Sequence, residues 1–178
     1  MNNNTRESWD NAWKRMCSDS SVVDEYRKAF LLNIFQKICS KMDKDIEYKK
    51  HIHKLFLQSF SKFDTTKGII YSVTNLSLED EDIRIIEKWF DAYRRKSNSR
   101  KTISTIRKEE LYKKQKGVCV VCGNELGQDW SKIHVDHIIP WKLVGDELED
   151  NYQLLCNTCN ECKSAKTDYI FKSLIKLV

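Results

Sequence analysis

The sequence predicts an α+β protein: a helical N-terminal region followed by a small, cysteine-held module of two strands and a helix. Three observations predict it. Apolar residues recur at helical spacing through roughly the first hundred positions. A polar stretch, KSNSRKTIST at 96–105, interrupts that pattern. Beyond it, short β-branched segments alternate with Cys-rich turns. The expected organisation is a helical domain at 1–98, a linker at 99–105 and a second domain at 106–178.

At 178 residues the chain is long enough to bury a real core. A hydrophobic fraction of 40% with one Pro and 5 Gly excludes disordered and collagen-like classes. No apolar run approaches the ~18 residues of a membrane span. The opening MNNNTRESWDNAWKRM has no apolar signal-peptide core, so a cytoplasmic location is expected. The net charge of +5 permits nucleic-acid binding without establishing it. All of that excess lies before residue 105, and five basic residues crowd into 94–101. That run is either a grip on a nucleic-acid backbone or a solvated face.

Asn4 and Glu7 make a capping-box pattern ahead of Trp9, Trp13 and Met16 at helical spacing. Val22, Val23, Tyr26, Phe30, Ile34, Ile38 and Met42 continue with a 3.6-residue period. Ile46, Ile52, Phe56, Phe60 and Phe63 read as one further amphipathic helix, and Gly68 with 69–73 as a turn and short strand. Ser77 is the expected cap of a last helix with acids in its first turn and Arg94-Arg95-Lys96 at its end, matching the helix dipole. After the linker, Ile106–Lys116 reads as a short helix closed by Gly117. VCVVCGNELG is a turn, KIHVDHII a strand, PWKLVGDELED a loop, NYQLLC a second strand and NTCNECKSAKTD a helix. Tyr169 to Val178 suggest a closing helix.

The 7 Cys are an odd number, and five of them fall in two tight groups, which favours metal over disulfides. Cys119 and Cys122 form one C-x-x-C turn; Cys156 and Cys159 form another at a helix start, where the dipole favours thiolate. Four thiolates suit a structural, protein-filled Zn²⁺ site. The 33 residues between the pairs hold the strand and loop, so the metal would clip both ends of one unit. Cys162 offers an alternative C-x-x-C with Cys159 and is taken as a spare; Cys17 and Cys39 are taken as core residues.

Between the pairs, Asp136 and His137 are adjacent at a strand end, just before Pro140, and Asn160 follows Cys159 on the helix. A carboxylate and an amide oxygen suit a hard cation such as Mg²⁺. A neutral imidazole can take a proton from water. Together these groups describe phosphodiester hydrolysis. Lys163 and Lys166, beyond Asn160, are candidate phosphate contacts or a solvated helix face. His134 is expected to pack or face solvent, and His51 and His53, in a basic helix with no partner pattern, are expected to be solvated. Trp130 and Trp141 could line either the core or a groove.

Residues Cys119-Val-Val-Cys122, Val135-Asp136-His137-Ile-Ile-Pro140, Asn151-Tyr-Gln-Leu-Leu-Cys156 and Cys159-Asn160-Glu-Cys-Lys163 give the segment 105–168 a resemblance to the HNH endonucleases of ββα-metal fold. The resemblance implies that His137 is the general base and that Asp136 and Asn160 bind the catalytic Mg²⁺ or Mn²⁺. It implies that Asn151 ties the loop across the strands, so that a loop carbonyl orients His137. It further implies DNA as substrate and 5′-phosphate and 3′-hydroxyl ends; the helical domain, outside the resemblance, is expected to supply target selection, dimerisation as a homodimer or contact with a protein partner. By analogy the role is restriction or phage defence. The loop at 141–150 lacks the double Gly common among relatives. Competing readings are a zinc-stabilised DNA-binding module without catalysis, which would lack the acid or base, and an RNA-cleaving toxin of the same fold.

Overall fold

The computed structural model describes residues 20–163. The expected helix around Trp9–Met16, Cys17, Lys166 and the closing helix at 169–178 lie outside the described residues. Four helices come first: α1 (Ser20–Lys44), α2 (Ile46–Gln58), α3 (Lys62–Thr74) and α4 (Asp80–Arg95). Then come α5 (Thr105–Lys114), a 3₁₀ turn (Trp130–Lys132), β1 (Ile133–His137), the single turn α6 (Trp141–Val144), β2 (Tyr152–Cys156) and α7 (Asn157–Lys163). The architecture is α+β.

Helix α1 buries Leu31, Leu32, Ile34, Phe35, Ile38, Cys39 and Met42, while Val23 and Phe30 face outward. The apolar run from Ile46 to Phe63 does not form one helix. Ser59 Oγ donates to the Ser61 carbonyl at 2.6 Å, and Ser61 Oγ accepts from the Asp64 amide. The resulting turn ends α2, starts α3 and leaves Phe60 fully exposed. The segment 69–73, expected as a strand, is helical. Thr66, Ile69 and Ile70 are buried at helical spacing with Val73 packed against the same core, and Asn75 closes α3 in the left-handed region with its amide on the Tyr71 carbonyl. The N-cap of α4 is Glu79, not Ser77, and makes no side-chain capping bond. Acids at 80–82 face the dipole instead, and Arg27 Nε reaches Asp82 at 2.6 Å.

One apolar cluster joins α1–α4 and also takes in Ile139, Leu143 and Val144 from the loop between the strands. A second gathers Leu111, Cys119, Leu126, Ile133, Leu154 and Leu155. β1 and β2 pair antiparallel, with Asp136 opposite Gln153 and His137 opposite Tyr152. Alternation puts His137 and Tyr152 on one face of this ribbon, and Asp136 and Gln153 on the other. Among the described residues no helix is long and apolar enough to cross a membrane.

Candidate active site and metal centre

After α5 the chain reverses through Lys116 and Gly117, both at positive φ. A Cβ at Gly117 would lie 2.9 Å from the Tyr112 hydroxyl, so the close approach of that ring requires glycine. The reversal starts a tight knuckle. Cys119 N–H donates to the Asn124 carbonyl at 2.9 Å, and Gly123 N–H to the Cys119 carbonyl at 2.8 Å. Cys119 and Cys122 thereby face Cys156 at the end of β2 and Cys159 in the first turn of α7. The four sulfurs lie within 4.8 Å of one another, with Cys122 and Cys156 at 3.9 Å. Tetrahedral Zn–S bonds of ~2.3 Å place sulfurs ~3.8 Å apart, so the quartet fits a zinc ion. Cys162 is exposed and lies outside the quartet. Burial pushes the Cys122 and Cys159 thiols up. Burial acts the same way on Cys119, but backbone groups of Cys156, Cys122 and Val121 bring that thiol down to about 7. Four thiols this close cannot all ionise without a cation among them.

His137 ends β1, and its ring packs on Tyr152 with centroids 4.8 Å apart. Its Nε2 lies 2.8 Å from Asp146 Oδ1. Asp146 is buried and accepts from three more donors: the Tyr152 hydroxyl, the Trp141 indole N–H and the Lys101 backbone N–H, each at 2.9 Å. Burial alone would raise this carboxyl; the Lys101 amide, Trp141, His137 and Tyr152 instead hold it well below the usual carboxylate range.

Asn151, 4% exposed, closes the loop. Its Oδ1 accepts from Ile139 N–H at 2.7 Å, its Nδ2 donates to the Ile139 carbonyl at 3.0 Å, and its own carbonyl accepts from Ile138 N–H at 3.0 Å. This clamp fixes the chain two residues past His137, where Pro140 turns it into α6.

On the other face of the ribbon, Asp136 Oδ2 pairs with the ammonium of Lys163, and Gln153 Nε2 approaches the same oxygen at 3.4 Å. Lys163 is 2% exposed and also donates to the His137 carbonyl at 2.6 Å. Asn160 sits one turn before Lys163 on α7, half-buried, and its side chain hydrogen-bonds to none of the described residues. An uncommitted amide oxygen on that helix, and a carboxylate with one oxygen uncommitted, are hard donors that fit Mg²⁺ or Mn²⁺. A single carboxylate leaves most of the coordination shell to water and phosphate.

Residues 119–166 match the HNH endonuclease family. This segment is an HNH module. The match covers under half of the chain and begins beyond α5, so helices α1–α4 stand outside it. Neither the curated proteins nor the solved structures contain a match to the chain. The match supports a nuclease-like function in general and implies a nucleic-acid substrate, and the four clustered cysteines are consistent with zinc within the module.

Around the HNH module the remaining sequence-predicted groups fall as follows. Lys163 turns into the fold, toward Asp136, and does not extend along a solvated helix face. His134 is half-buried opposite Leu155. His51 is exposed, whereas His53 is half-buried in the helical region with Nε2 unbonded among the described residues. Trp130 lies 5.7 Å from Tyr112, and Trp141 belongs to the Asp146 cluster. In the basic run at 94–101, Arg95, Arg100 and Lys101 are exposed, while Arg94 and Lys96 are half-buried. Arg94 stacks over Phe56, Lys96 Nζ donates to the Lys142 carbonyl at 2.5 Å, Arg100 stacks over Trp141, and Lys101 meets Asp146 through its backbone. Gly145, at φ 61, admits the Lys96 side chain: a Cβ there would stand 2.9 Å from Lys96 Cβ. Asp146 and Lys101 are the site residues that sequence reasoning missed. The only available signal was a lone Gly145-Asp146 pair in the loop between the strands.

Proposed function

We propose that the protein is a metal-dependent DNA endonuclease of HNH type, a cytoplasmic restriction or phage-defence nuclease. Residues 1–98 would serve target selection, dimerisation or contact with a partner protein. The observation that carries this reading is the His137 imidazole, held against Asp146 at the end of the strand that also bears Asp136.

His137 takes a proton from the attacking water as the water oxygen bonds to phosphorus. The bond from phosphorus to the 3′ oxygen breaks, leaving 5′-phosphate and 3′-hydroxyl ends. Asp136 and Asn160 would hold Mg²⁺ or Mn²⁺, which neutralises charge on the phosphate and the departing oxygen when bound. Lys163, placed between the Asp136 carboxylate and the His137 carbonyl, steadies that ligand from inside the fold. Lys166 is the candidate for direct phosphate contact. Asn151 keeps the loop closed over the strands. Zinc at Cys119, Cys122, Cys156 and Cys159 is structural, because protein sulfur fills all four positions.

The test is cleavage of supercoiled plasmid and of RNA by the full chain with Mg²⁺ or Mn²⁺. Nicking of the plasmid that stops with EDTA and falls about 10²–10⁴-fold in His137→Ala is expected. Cleavage of RNA alone would replace DNA as the substrate. Metal-dependent nicking that survives His137→Ala would remove the base assignment.

A further inference from the structure

We propose that Asp146 is a positioning residue for His137, a carboxylate that fixes which ring nitrogen faces the water. This inference rests on the nuclease reading above and goes beyond it, since the resemblance gives the orienting of His137 to a loop carbonyl, whereas its Nε2 meets the Asp146 side-chain carboxylate.

The side chain of Asp146 is 2% exposed, and that of His137 is 12% exposed. The carboxylate is pinned from three sides. Trp141 Nε1–H and Lys101 N–H bond Oδ2, while the Tyr152 hydroxyl and His137 Nε2 meet at Oδ1. Lys101 comes from the stretch between α4 and α5, Trp141 from α6 and Tyr152 from β2, so the oxygen facing His137 is located by three separate pieces of chain. An ionised carboxylate only accepts hydrogen bonds, so the proton of a neutral imidazole must sit on Nε2. The lone pair then sits on Nδ1, and Nδ1 is the nitrogen that accepts the water proton. Tyr152 also packs against the ring and limits its rotation. Fixing tautomer and ring angle in advance removes a reorganisation that the proton transfer would otherwise require.

Two measurements on the full, zinc-loaded chain decide it. The sequence has four His, so ¹⁵N-histidine labelling gives a small spectrum, and the His137 signal is the one lost in His137→Gln. At about pH 9, where imidazole is neutral, long-range ¹H–¹⁵N correlation should show His137 protonated on Nε2. Protonation on Nδ1 would overturn the proposal, and this readout needs no Asp146 variant to fold. In steady-state cleavage of a DNA duplex, Asp146→Ala should lower kcat about 10–100-fold with KM unchanged. Asp146→Asn, whose one oxygen is drawn to the Trp141 and Lys101 N–H groups and whose NH₂ then faces Nε2, should not recover the loss. A kcat that is unchanged or raised in Asp146→Ala would also overturn it, the raised value marking Asp146 as a block on the base. If His137→Ala abolishes cleavage while Asp146→Ala leaves kcat unchanged, this inference fails and the nuclease reading stands. If His137→Ala leaves cleavage intact, the base assignment fails, and the tautomer still decides whether Asp146 holds the ring.

Discussion

Asn151 gives both ends of its amide to one residue, Ile139, and does so almost without solvent contact. Truncation to Ala would leave a buried N–H and a buried carbonyl without partners, each costing about 1–3 kcal/mol. The Asn151→Ala chain should therefore unfold about 2–5 kcal/mol more easily in urea, with its zinc retained at neutral pH. Asn151 itself was legible, because it stands at a fixed offset from Cys156 in a recognisable motif. Asp146 was not, and the reason is physical. Its loop also carries Glu147, Glu149 and Asp150, and nothing in composition or period separates one acid from the others. Its four donors come from positions 101, 137, 141 and 152, and only the folded chain brings them together. Lys163 shows the same limit: helical spacing gave it a face, but the pairing with Asp136 decided that the face is inward.

A two-strand ribbon is marginal in water without further support. Here the support is a cluster of six buried residues, one of them Cys119. Metal bound at the four cysteines would therefore contribute folding free energy to this unit. Cys156→Ser should lower bound zinc from one per chain to near zero, and amide exchange in β1, β2 and α7 should rise to loop-like rates. Metal analysis and hydrogen exchange on one sample check both. Full zinc content in that variant would mean that Cys162 takes the vacated place. The helical elements show where pattern reading ends. The apolar residues of 69–73 satisfy a strand template as well as a helix template, and contact with α1 and α4 settles the matter. The Ser59–Ser61 turn divides what period alone joins, because two short hydroxyl side chains bond the backbone there.

Ile139, Leu143 and Val144 belong by sequence to the loop between the strands and by packing to the core of α1–α4. Leu143 is 3% exposed in that core. Leu143→Ala should remove about 2–5 kcal/mol from the unfolding of the helical region, far from any residue of its own. Circular dichroism during urea denaturation would register this as a lower midpoint for the helical signal. An unchanged midpoint would show that the two regions unfold independently. The polar composition of 96–105 concealed this contact. Lys96, Arg100 and Lys101 read as a grip on a nucleic-acid backbone or a solvated face, and they also reach the module through carbonyl, ring and backbone contacts that charge counting does not register.

The Lys101 amide has one more consequence, for anyone rebuilding the molecule. The peptide joining the helices to the HNH module donates into the carboxylate behind the imidazole, so it is not an interchangeable tether. A chimera that grafted residues 106–163 onto a foreign scaffold through a glycine–serine spacer would carry the motif but leave one of its hydrogen-bond donors behind.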